Sequence, residues 1–145
     1  MIRLAPAAIA ALLLTAAPAL ALSQSANDSK IVLTFETGAR TGTVMVALFN
    51  SAGGFDGRSG RSIASAAISA SGRVVATFDN LPAGDYAVKA FHDLNGDGQM
   101  NTNPFGMPTE PYAFSNNAVG NMGPARWDRA HFAVSGETAQ TISIR

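Results

Sequence analysis

The chain has 145 residues, with 10 basic and 10 acidic side chains and no cysteine. Balanced charge without a basic patch argues against a nucleic-acid partner. The absence of cysteine excludes a disulfide framework, a thiolate metal site and a lipid-modified cysteine, so an apolar core must hold the fold, with or without an ion.

Residues 1–21 read as a secretory signal. Arg3 gives a charged start, an Ala/Leu/Ile run follows around Ile9 to Leu14, and Ala19 and Ala21 place small residues at −3 and −1. Cleavage is expected after Ala21, which makes the protein exported, either periplasmic or extracellular. Pro6 and Pro18 interrupt the run, and it lacks the roughly 20 unbroken apolar residues of a span. The mature chain is therefore expected to carry no integral membrane segment. Removing Arg3 leaves acids in excess of bases by one.

Residues 22–29 are polar and read as a flexible lead-in, with a single domain over 30–145. In Lys30 to Glu36 the apolar residues Ile31, Leu33 and Phe35 alternate, which predicts a strand. Thr43 to Phe49 is apolar on both faces, as in the centre of a packed sheet. Asn50 to Gly60 is a glycine-rich loop. Ser62 to Ser69 is a weaker strand and Arg73 to Phe78 a stronger one. A Pro82–Gly84 turn leads into a strand over Asp85 to His92, with Tyr86, Val88 and Ala90 facing one side. Residues 93–126 carry no period. Arg129 to Val134 and Thr138 to Ile144 read as two closing strands about a Ser135-Gly136 turn. No helical period appears outside the leader. About seven short strands predict an all-β, antiparallel β-sandwich of transthyretin-like or immunoglobulin-like type, with one long Asn/Gly/Pro-rich loop.

The loop opens on Asp93-Leu94-Asn95-Gly96-Asp97-Gly98-Gln99-Met100-Asn101. Oxygen-bearing side chains stand at every second position, with glycine at the sixth, where the chain must bend. D-x-N-x-D-G resembles the first half of an EF-hand calcium loop. The expected cation ligands are Asp93, Asn95, Asp97, the Gln99 carbonyl and Asn101. Pro104 stands where that motif has its closing glutamate, so Glu110 is expected to close the shell. With so few carboxylates a Ca2+ site here is weak, in the range of about 10⁻⁴–10⁻³ M found for extracellular modules. The competing reading is a solvated Asx turn, since Asn, Asp and Gly also cluster in turns for local reasons.

Other chemistry is thinly supported. His92 and His131 can be drawn as zinc ligands with a third from Asp93, Asp128 or Glu110. Ser115, His92 and Asp93 can be drawn as a hydrolase triad, but Ser115 lies in no nucleophile elbow, and adjacent residues of a strand face opposite sides. The chain reads as a non-enzyme. Phe105, Tyr112, Phe114 and Trp127 lie in or beside the long loop. They either bind a carbohydrate or peptide ligand, the alternative function, or fold back as a mini-core that pins the loop.

Several stretches together resemble the DUF2141 family, small exported bacterial proteins of unknown function. They are Gly84 to Val88, His92 to Gly98, Phe105 to Glu110, Tyr112 to Asn117, Gly123-Pro124 and Ala130 to Phe132. The resemblance implies a β fold and export, and no activity. Leu81 to Tyr86 also resembles the turn and strand of transthyretin-like and carboxypeptidase-regulatory-like sandwiches, a likeness of fold that carries no function.

Overall fold

The structure is a computed structural model and describes residues 28–145. The expected signal and nearly all of the lead-in lie outside the described residues. Eight strands form two sheets, as the sequence predicts for an all-β sandwich. They are β1 (Ser29–Glu36), β2 (Thr43–Phe49), β3 (Ala64–Ser69), β4 (Val74–Leu81), β5 (Gly84–Asp93), β6 (Tyr112–Phe114), β7 (Phe132–Val134) and β8 (Glu137–Ser143). One sheet has the order β4-β1-β8. The other runs β3-β2-β5-β6, with β7 pairing the start of β5.

The alternation read from the sequence sets the core. Ile31, Leu33 and Phe35 of β1 meet Val74, Ala76 and Phe78 of β4 on the inner face of one sheet. Val44, Val46 and Leu48 of β2 with Tyr86, Val88 and Ala90 of β5 line the other, and Ile142 and Ile144 close the layer. The buried Tyr86 hydroxyl donates to the Pro82 carbonyl at 2.7 Å, which fixes the β4–β5 turn. Burial also raises the Tyr86 pKa.

Val88 is fully buried and pairs across the sheet with Leu48. Val88→Ala should cost about 1–3 kcal/mol through the cavity it leaves. An unchanged urea midpoint would place Val88 outside the core.

The strands are not all antiparallel. β1 pairs β8 in parallel, from Lys30↔Glu137 to Glu36↔Ser143. The reason lies in the Ser135-Gly136 turn, which does not close a hairpin. It hands the chain from β7 in one sheet to β8 in the other, and Gly136 is held there by Ser29 Oγ and the Lys30 amide. Ser29 is thus already part of β1, one residue ahead of the predicted start.

Two further differences are local. Arg129 and Ala130, expected in a strand, belong to a helical turn, α2 (Trp127–Ala130), and only Phe132–Val134 is extended. A second helical turn, α1 (Ala52–Phe55), lies in the glycine-rich loop, with Ser51 Oγ capping its start by accepting from the Gly54 amide. These turns build a second core on the outer face of the five-stranded sheet. Phe49, Ala87 and Phe114 of that sheet pack there against Phe55, Ala125, Ala130 and Trp127. β5 is consequently buried on both faces over Tyr86 to Val88.

Candidate functional site: the Asx-rich loop after strand β5

β5 delivers Asp93 to the sheet's end with its side chain only 2% exposed. Its two carboxylate oxygens accept from the Gly96 amide at 2.7 Å and the Gly98 amide at 2.8 Å. Asn95 Oδ1 accepts from the Asp97 amide, and Asp97 Oδ1 from the Gln99 amide. Each alternate side chain thus turns back onto the backbone ahead of it, and the chain curls. The curl needs left-handed backbone at Gly98, with φ +74°, where a Cβ would be strained. The base of the loop abuts the β1–β2 connection. A Cβ on Gly42 would collide with the Asp93 carbonyl oxygen.

Glu110 fastens the two ends of the curl. Its buried carboxylate accepts from the Leu94 amide at 3.0 Å and the Asn101 amide at 3.2 Å. Between Asn101 and Glu110 the chain makes a short excursion, bridged at Thr102↔Pro108 and held by Asn103, whose side-chain oxygen accepts from the Phe105 and Met107 amides. Pro104 lies in this excursion, away from any closing role.

The six residues expected around a cation therefore sit in one closed loop. Asp97 receives two carboxamides: Asn101 Nδ2 donates to its Oδ2 at 2.8 Å and Asn95 Nδ2 at 3.3 Å, while Asn95 Nδ2 also donates to Asn101 Oδ1 at 2.8 Å. The Asn101 side chain, then the Gln99 amide, hold the Asp97 pKa below the usual carboxylate value against a small opposing effect of burial. Stability from this group is present above the ordinary carboxylate range and is lost as pH falls through the lowered value.

The donors present are carboxylates, carboxamides and carbonyls, which suit a hard cation rather than zinc. Rotating the Asn95 and Asn101 carboxamides by half a turn exchanges N–H donors for oxygens in nearly the same places. Among the described residues, no three His, Cys, Asp or Glu side chains are grouped closely enough to hold a metal. A cation here would thus depend on amide and backbone oxygens.

The remaining candidates have structural partners. His92 is buried, with Nε2 2.6 Å from the Thr41 carbonyl. His131 stacks on Trp127 and places Nδ1 2.9 Å from the Trp127 carbonyl. Ser115 is fully buried, and its hydroxyl bridges the Val88 amide and the Ala130 carbonyl. The four loop aromatics form no common platform. Phe114 and Trp127 belong to the second core, Tyr112 edges against Phe114, and Phe105 stands 90% exposed at the tip of the excursion.

Sequence reasoning passed over Asp56. Its carboxylate accepts from the Trp127 amide at 3.0 Å and meets Arg58 at 2.6 Å, tying α1 to α2. The Trp127 bond, then Arg58, lower its pKa although burial opposes them. Its place after a Gly-Gly-Phe turn offers no periodic signal.

A family model described as "Uncharacterized protein conserved in bacteria (DUF2141)" matches residues 36–143. The chain belongs to this family. The DUF2141 match runs from the last residue of β1 to the last of β8, so it includes the Asx-rich loop and both helical turns. No curated protein and no solved structure matches the chain. Among the described residues, no helix is long and apolar enough to cross a membrane.

Proposed function

We propose that this DUF2141 protein is exported and non-catalytic, and that its 93–110 loop takes a calcium-type cation that fixes the loop's shape. The observation that carries this reading is the convergence of Asn95 and Asn101 on Asp97 inside a curl whose ends Glu110 clasps. Two carboxamide N–H groups supply there the positive charge that a cation would supply more strongly. Export rests on the leader-like pattern of residues 1–21. The non-catalytic reading is supported by Ser115, His92 and His131, each of which is hydrogen-bonded into the fold.

A cation that binds the folded state and not the unfolded one raises stability by mass action. At ten times its dissociation constant the gain is about 1.4 kcal/mol. Calcium should therefore raise the melting temperature of the purified protein relative to chelator, in the millimolar range. Asp97→Ala should remove that response and keep the far-ultraviolet β signature, because Asp97 is exposed and outside both cores. Superimposable melting curves in calcium and in chelator would reject the cation.

A further inference from the structure

The register of the five-stranded sheet aligns its outward-facing side chains in rows. Met45 stands beside Phe91 and Tyr112, and Ala47 beside Lys89 and Phe114. The second core covers the Phe49–Ala87 end of this face. The rest is open, and Met100 and Met107 of the loop line it together with Met122 to Pro124. The result is a groove of about 1010 Å³. Small-molecule sites measure roughly 300–1,000 Å³.

Its chemistry is lopsided. Every methionine of residues 28–145 lines it: Met45, Met100, Met107 and Met122. Met107 and Met122 hold their thioethers in solvent, an unfavourable place for apolar side chains unless something covers them. Methionine is flexible and adapts to apolar ligands of varied outline. Lys89 is the one charged side chain of the lining. Its ammonium lies over the rings of Phe55 at 4.8 Å and Phe49 at 5.4 Å, and makes no hydrogen bond or ion pair among the described residues. Burial lowers its pKa, with the charge of Asp56 opposing.

We propose that this groove binds a single aliphatic chain ending in an anion, the chain lying across the Met45–Phe91 floor and the anion meeting Lys89. The floor strands β2 and β5 are interior to the sheet, so their backbone groups are already paired. A peptide strand cannot add to them, and a saccharide would find few partners for its hydroxyls. An alkyl chain makes no such demand. A carboxylate supplies the acceptor that the Lys89 ammonium lacks, at the margin of a surface where water competes poorly. The groove's floor is sheet and only part of its wall comes from the 93–110 loop, so this inference goes beyond the cation reading.

Titration of the purified protein with sodium laurate, 1-dodecanol and dodecyltrimethylammonium tests it, with native mass spectrometry giving the stoichiometry. One laurate should bind per chain in at least one of calcium and chelator. Lys89→Met keeps the apolar stem and removes the charge. It should weaken laurate about ten-fold, as loss of one charge-assisted hydrogen bond implies, and leave dodecanol unchanged. Met107→Glu, at an exposed position that does not threaten the fold, should weaken laurate. The absence of a one-to-one laurate complex in both buffers would overturn the proposal. So would laurate affinity unmoved by Lys89→Met, or dodecyltrimethylammonium binding as tightly as laurate. Melting curves in calcium judge the cation reading separately.

Discussion

Replacing Phe55 by alanine should lower stability by about 3–5 kcal/mol, the range for deleting a buried aromatic ring. The ring is fully buried at the middle of the second core. It meets Phe49 at 5.6 Å, Phe114 at 6.0 Å and Trp127 at 6.1 Å between centroids, all edge-on, and carries the Lys89 ammonium on its face. Its neighbours come from β2, β6 and α2, which do not pair with one another, so few backbone bonds can draw them into the space it leaves. Urea denaturation should show a lower midpoint at unchanged slope. Phe105→Ala provides the contrast: that ring is exposed at a loop tip, and its loss should stay within about 0.5 kcal/mol. Equal losses for the two variants would mean that the second core contributes no stability of its own.

Ser115→Ala removes one oxygen and should cost about 1–3 kcal/mol. The hydroxyl accepts from the Val88 amide at 2.8 Å and donates to the Ala130 carbonyl at 2.7 Å, with no solvent access. Alanine leaves the Val88 amide buried without a partner, which costs about 1–3 kcal/mol, while the Ala130 carbonyl keeps only its 3.2 Å bond from Asn116 Nδ2. The Val88 amide should also lose protection against hydrogen exchange, which distinguishes this mechanism from a general loss of packing. Ser69, whose hydroxyl meets Ser71 at the surface, should tolerate the same change. An unaltered midpoint in Ser115→Ala, with the Val88 amide still protected, would show that water or a neighbour replaces the bridge.

The sequence carries the strands that alternate over six residues or more. Ile31, Leu33 and Phe35 announce a buried face because the period of two is a local property. β6 is only three residues long, too short to show any period, and β7 loses its first residues to α2. The parallel β1–β8 pair is invisible for a different reason: pairing between distant strands is set by which sheet each strand joins. The Asx-rich loop is legible where its logic is local, in the spacing of Asp93, Asn95 and Asp97 and the bend at Gly98. The part played by Glu110 is not, because its two backbone bonds depend on where the chain returns after the 102–108 excursion. The second core is legible only in part, through Phe114 and Trp127 as members of a mini-core that pins the loop. Phe49, Phe55, Phe114 and Trp127 lie in four separate segments, and only the covering of the outer sheet face makes them neighbours.

The parallel pairing of β1 with β8 bears on the order in which the molecule can assemble. β1 is the middle strand of its sheet, and one of its two partners is the last strand to be made. The β2–β3 pair can form early, across the short connection between them. The β4-β1-β8 layer cannot be completed until nearly the whole chain is present. Contacts so far apart in sequence close slowly, because a long segment must first surrender its freedom. Until then β1 offers one unpaired edge, and Ile31, Leu33 and Phe35 lack the cover of Ile142. The half-built sheet is thus the stage most open to strand exchange with a second chain, and refolding at high protein concentration is where such exchange would show.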